Sequence, residues 1–111
     1  MDGLDRWRDI VEHAICQHTR VPYAHGDIAL QTVFDRQRDR YLWIDLGWNG
    51  HERVLDVIVY IEIRDGKLWI QCDGTQHGIA KDLMAAGIDS DSIVLAFRHP
   101  DLRKYTDFAA A

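Results

Sequence analysis

Only two cysteines, two prolines and no apolar run of bilayer length occur in this 111-residue chain. Cys16 and Cys72 lie far apart and neither belongs to a Cys-x-x-Cys pair, so the thiols read as free and the compartment as reducing. Basic residues are also in deficit: 13 Lys and Arg face 18 Asp and Glu, for a net charge of −5. Phosphate binding draws on clustered cations that release counterions, so DNA binding by the whole surface is disfavoured and only a local patch stays open. The start, Met1 to Trp7, is charged and amphipathic where a secretory signal would need a basic start and an apolar run. The expectation is a cytoplasmic protein without membrane association. No linker, repeat or low-complexity segment divides the chain, which reads as one domain over residues 1–111. That length buries a core without a disulfide or metal staple, so stability demands no cofactor.

What is present is periodicity. Leu4 to about His18 reads as an amphipathic helix with Leu4, Trp7, Val11, Ala14 and Ile15 on one face, Asp2 as its cap and Pro22 beyond its end. Cys16 falls on the opposite side, with Asp5, Asp9, Glu12 and His13. Asp27 to Asp35, Tyr41 to Trp48, Val54 to Ile63 and Lys67 to Cys72 read as strands, joined by a charged turn and by Asn49-Gly50 and Asp65-Gly66. Gly74 and Gly78 punctuate the exit from the last strand. Ile79 to Ala86 then forms a short crossing helix, with Gly87 where a left-handed cap belongs, and Ile93 to Phe97 is extended. The expected fold is α+β: an antiparallel four-stranded meander with both helices packed on one face.

Strand alternation divides the sheet. Leu42, Ile44, Leu46, Leu55, Val57, Val59, Ile61, Ile63, Leu68, Ile70 and Cys72 share one parity and read as the core. The other parity carries Tyr41, Trp43, Asp45, Asp56, Ile58, Tyr60, Glu62, Trp69 and Gln71, an aromatic face that needs a cover. Base stacking on Trp43, Tyr60 and Trp69 would need flanking cations, whereas Asp45, Asp56 and Glu62 interleave them. A protein interface fits better, because Trp and Tyr combine apolar area with a polar handle. The candidates are Tyr41, Trp43, Ile58, Tyr60 and Trp69 on the sheet, with Arg103, Tyr105 and Phe108 on the tail. The tail itself is the competing cover, through Tyr105 and Phe108, and self-association into a homo-oligomer is a further reading.

Other constellations are weaker. Arg36, Arg38 and Arg40 cluster at a hairpin tip, but Asp35 and Asp39 leave one net positive charge there. His13, His18, His25, His51, His77 and His99 show no His-x-x-x-His, no Cys/His pairing and no carboxylates at ligand spacing, so no metal site is read. Asp73, Thr75 and His77 lack a nucleophile elbow or second base. Asp56 with Glu62-Ile63-Arg64 faintly resembles a metal-dependent nuclease strand, but Arg64 cannot supply the titratable amine that a lysine would. No catalytic residue is expected.

Several short motifs together resemble the XisI family of element excision controlling factors, named for the fdxN element. They are Val21-Pro22-Tyr23-Ala24 with Gly26, Phe34-Asp35, Arg38 to Tyr41, Gly47-Trp48 with Arg53, Ile63 to Gln71, Asp73 to Thr75 and Gly78 to Ala80. Ile93 to Phe97, then Pro100, Arg103, Thr106, Phe108 and Ala109, complete the pattern. The chain departs from it at Gln76, where the family often has Glu, and at Asp107 and Ala110, where Gly and Val are usual. The resemblance implies an accessory protein for programmed excision of a DNA element, acting with a site-specific recombinase and a nuclease-like companion, XisH. On that basis the chain is expected to be a non-catalytic control factor that binds an XisH-like protein. Alternatives are an antitoxin-like inhibitor of such a partner, or a metal-dependent nuclease using Asp56 and Glu62.

Overall fold

Turn chemistry and alternation place most of the elements where the sequence puts them. The computed structural model describes residues 3–23 and 26–111, so the Asp2 cap and His25 lie outside the described residues. Helix α1 spans Leu4–Thr19 and buries Val11, Ala14 and Ile15, with Leu4 and Trp7 half-buried beside them and Cys16 exposed. Strands β1 (Asp27–Asp35), β2 (Arg40–Asn49), β3 (Glu52–Arg64) and β4 (Lys67–Asp73) form an antiparallel meander. Asp65 and Gly66 both take positive φ between β3 and β4, as a tight hairpin requires. The preceding hairpin turns on Gly50 and His51, one residue later than Asn49-Gly50, with Gly50 alone of these at positive φ.

Helix α2, Ile79–Ala85, ends in a Schellman motif. Gly87 adopts φ 107°, its N–H donates to the Met84 carbonyl, and the Ile88 N–H donates to the Leu83 carbonyl at 3.2 Å. Leu83 and Ile88 are both buried, so the cap also closes an apolar contact. After a 3₁₀ turn at Ser90–Ser92, β5 (Ile93–Leu95) pairs with β4 in parallel. The sheet is therefore five-stranded and mixed, in the order β1-β2-β3-β4-β5, rather than four-stranded and antiparallel. A crossing helix returns the chain to the same end of the sheet, so the next strand runs parallel to the last.

A third helix, α3 (Pro100–Arg103), adds to the two that periodicity predicts, and its local signals are present in the sequence. Pro100 sits at its start and the His99 side chain accepts from the Asp101 N–H at 3.2 Å. The core lies between α1, α2 and one face of the sheet: Val11, Ile15, Ile79 and Leu83 meet Tyr41, Trp43, Val59, Ile61, Leu68 and Ile70. Each fully buried aliphatic side chain contributes about 1.5–3 kcal/mol. No helix among the described residues is long and apolar enough to cross a membrane.

Candidate functional site

Two bulges decide which side chains face outward. Trp43 pairs with Val59 but Ile44 pairs with Val57, so Ile58 is an extra residue in β3. Ile61 pairs with Ile70 but Tyr60 pairs with Cys72, so Gln71 is an extra residue in β4. At each bulge the alternation changes phase. Parity counted straight through β3 and β4 therefore joins residues that lie on opposite faces.

The expected aromatic docking face is corrected accordingly. Tyr41 and Trp43 are buried at 0% and 6% exposure in the core that α1 covers, and His18 of α1 stacks on the Trp43 ring. Their polar atoms find partners two residues away: the Tyr41 hydroxyl donates to Asp39 at 3.0 Å and Trp43 Nε1 donates to Asp45 at 2.8 Å. Trp43 and Asp45, two apart on β2, share a face, and Asp39 reaches Tyr41 from the turn before the strand, so the two aspartates satisfy both polar handles within the chain. Ile58, the bulge residue, packs half-buried against that core. Cys72, expected in the core, is half-buried on the outer face beside Tyr60, and burial pushes its thiol pKa up.

Trp69 does lie on the outer face, paired with Glu62, but it is 8% exposed. The Arg64 guanidinium sits 4.1 Å over its ring, Arg103 approaches at 5.8 Å, and its Nε1 donates to the Arg64 carbonyl. The tail thus covers Trp69 through Arg103, which also donates to the carbonyls of Arg98 and Ala96. Phe108 packs against the core and the Ala109 N–H donates to Ile93, whereas Tyr105 is 76% exposed. Tyr60 is half-buried, and burial together with Glu62 raises its hydroxyl pKa.

What the outer face exposes instead is aliphatic. Val33 pairs with Leu42, Gln31 with Ile44 and Ala29 with Leu46, while Val57 and Leu55 continue the same rows on β3. Leu55 is 65% exposed, Val33 49% and Val57 44%, with Leu42, Ile44 and Leu46 half-buried between them. A contiguous apolar patch with a charged border is the anatomy of a binding surface. The border is the buried Glu62 carboxylate with Arg40 at 3.3 Å and Arg64 at 3.7 Å.

The proposed nuclease pair does not converge. Asp56 pairs with Asp45 on the helix-side rows, whereas Glu62 points to the outer face and is held by two arginines. Asp73, Thr75 and His77 do not form a relay either. Both Asp73 oxygens are engaged by the Thr75 hydroxyl and N–H and by the Ile79 N–H, so this carboxylate fastens the turn into α2. At the hairpin tip, Arg36 is tied to Asp9 and Glu12 of α1 and Arg38 to Asp35, which leaves these guanidinia neutralised rather than free for phosphate.

A cavity of about 330 Å³ opens between the end of α1, the start of α2 and the sheet, lined by His18, Tyr23, Trp43, Ile58, Thr75 and His77 among others. Two of its lining residues, Trp43 and Tyr23, donate to the buried Asp45, the Tyr23 hydroxyl at 2.6 Å. Burial and then Asp45 push the Tyr23 hydroxyl pKa up to about 12. Beside the cavity, His18 Nε2 lies 2.8 Å from Asp82 and His77 Nε2 lies 4.0 Å from the same carboxylate. These three residues can each offer a ligand atom, all within 4.8 Å of one another. Local spacing could not reveal the group, because His18 comes from a different helix.

A family model described as XisI protein matches residues 1–110. The fold is similar to the crystal structure of fdxN element excision controlling factor XisI from Anabaena variabilis ATCC 29413, at 35% identity and TM-score 0.85, covering 99% of this chain and 100% of that one. It is also similar to a XisI-like protein from the same organism, at 29% identity and TM-score 0.90, covering 97% of this chain and 99% of that one. A search of the curated proteins finds no match.

Proposed function

This chain belongs to the XisI family, and from that premise we propose that it is a non-catalytic control factor for excision of a DNA element, acting by binding an XisH-like protein. The observation that carries the reading is the outer-face patch of Val33, Leu42, Ile44, Leu46, Leu55 and Val57, an apolar surface bordered by the Arg40, Glu62 and Arg64 cluster. Partner contact there buries leucine and valine area that the chain leaves in water, while the arginines supply orientation at the edge. Asp56 and Glu62, the carboxylates a nuclease would use, lie on opposite faces, and Glu62 is held by arginine, which favours binding over chemistry. Excision control then follows from engaging the nuclease-like companion, and inhibition of that companion would use the same contact.

Co-expression with the XisH-like gene product tests this reading. A complex that survives purification supports it, and separate elution of the two chains counts against it. Self-association is a second reading, favoured by β1, which forms one edge of the sheet with five of its nine residues exposed. Light scattering on the isolated chain distinguishes a monomer from an assembly paired through that edge.

A further inference from the structure

We propose that His18, His77 and Asp82 form a binding site for a divalent transition-metal ion of the zinc class. The site lies on the helix side of the sheet, opposite the aliphatic patch, and goes beyond the control-factor reading. Two imidazoles and one carboxylate suit zinc and its neighbours, whereas magnesium and calcium favour all-oxygen cages. The donor atoms already lie within 4.8 Å of one another.

Tetrahedral zinc with bonds of about 2.0–2.1 Å places its ligand atoms about 3.3 Å apart. From the present geometry the 2.8 Å contact of His18 with Asp82 Oδ2 opens by about 0.5 Å and the 4.0 Å contact of His77 with Asp82 Oδ1 closes by about 0.7 Å, while donor atoms as far as 4.8 Å apart close by about 1.5 Å. The residue that must move most is the one that can. His77 precedes Gly78 in the turn before α2 and its side chain is 56% exposed, while His18 and Asp82 are anchored on helices. The His18–Asp82 hydrogen bond alone would join the two helices, but it gives no role to His77, whose ring stands 5.8 Å from that of His18. His18 and His77 also line the 330 Å³ cavity, which leaves room for the water that completes a three-ligand zinc site.

The test uses the full chain without an affinity tag, titrated calorimetrically with Zn²⁺ and followed by thermal melting. One equivalent per chain, with a melting temperature that climbs with free zinc and not with Mg²⁺, is the expected result. His77→Ala, at an exposed position, and Asp82→Asn should each weaken zinc binding by at least about tenfold, since even outer-sphere partners of a metal cost that much. His99→Ala should leave it unchanged. Co²⁺ should give the visible absorption of a tetrahedral centre and quench Trp43, on which His18 stacks. Equal zinc affinity for the native chain and His77→Ala, or no stoichiometric binding, overturns the proposal.

Discussion

Leu55→Glu separates a binding role for the outer face from mere exposure. Leu55 is 65% exposed on β3, so in the free chain a glutamate there stays in water and alters stability by no more than about 0.5 kcal/mol. In a complex that covers the patch, the loss has two parts. The exposed share of a leucine whose full burial is worth about 1.5–3 kcal/mol amounts to about 1–2 kcal/mol. A carboxylate pressed against Val57 and Leu46 adds a desolvation cost, so the total reaches about 1.4 kcal/mol or more, a tenfold loss of affinity. The assay is calorimetric titration of the purified XisH-like protein with native and variant chains, with thermal melts as the check on folding. Affinity within twofold of native for a folded Leu55→Glu would refute the assignment of this face. If Tyr105→Ala on the tail weakens binding instead, the contact lies beside β5.

Three further outcomes test the physical account of the fold. Gly47→Ala should lower stability by about 1–3 kcal/mol, because the added methyl would collide with the Asp27 carbonyl of β1 across the β1–β2 pair; a melting temperature within 2 °C of native, a bound set by about 4–8 °C per kcal/mol, speaks against that close approach. Trp43→Phe keeps most of the ring but removes the donor to buried Asp45, at a cost of about 1–3 kcal/mol in denaturant unfolding, and an unchanged midpoint would mean the bond contributes nothing. Hydrogen bonds from Arg8 hold the Asp39 carboxyl below its ordinary range, so its contribution is present above an unfolded value of about 3.9 and is lost as pH falls through the folded value. Asp39→Asn should therefore flatten the acid limb of a stability profile measured by denaturant titration; parallel native and variant profiles would exclude this linkage.

The elements were legible because their signals are local. Asp65-Gly66, the apolar stripe of α1 and the Gly87 cap each act within a few residues, and each appears at or next to its expected position. The faces were not legible, because the register depends on Ile58 and Gln71, and neither carries the glycine or proline that would mark an extra residue. Aspartates at positions 39 and 45, two residues from Tyr41 and Trp43, were the available hint that both aromatics could be buried with their polar atoms satisfied. For β5, the crossing helix foretold an extended segment, but its pairing with β4 needed the tertiary arrangement. His18, His77 and Asp82 meet only because α1 and α2 lie side by side.

The same two bulges give the sheet spare length. A residue lost from a regular stretch of β3 would turn every side chain beyond it to the wrong side, whereas loss of Ile58 itself would leave Val57 and Val59 opposite their present neighbours, at the expense of the hydrogen bond that Gly74 makes to its carbonyl. Gln71 offers similar slack in β4. Chains built on this frame can therefore differ in length at these two points and still keep the same residues dry and the same residues wet.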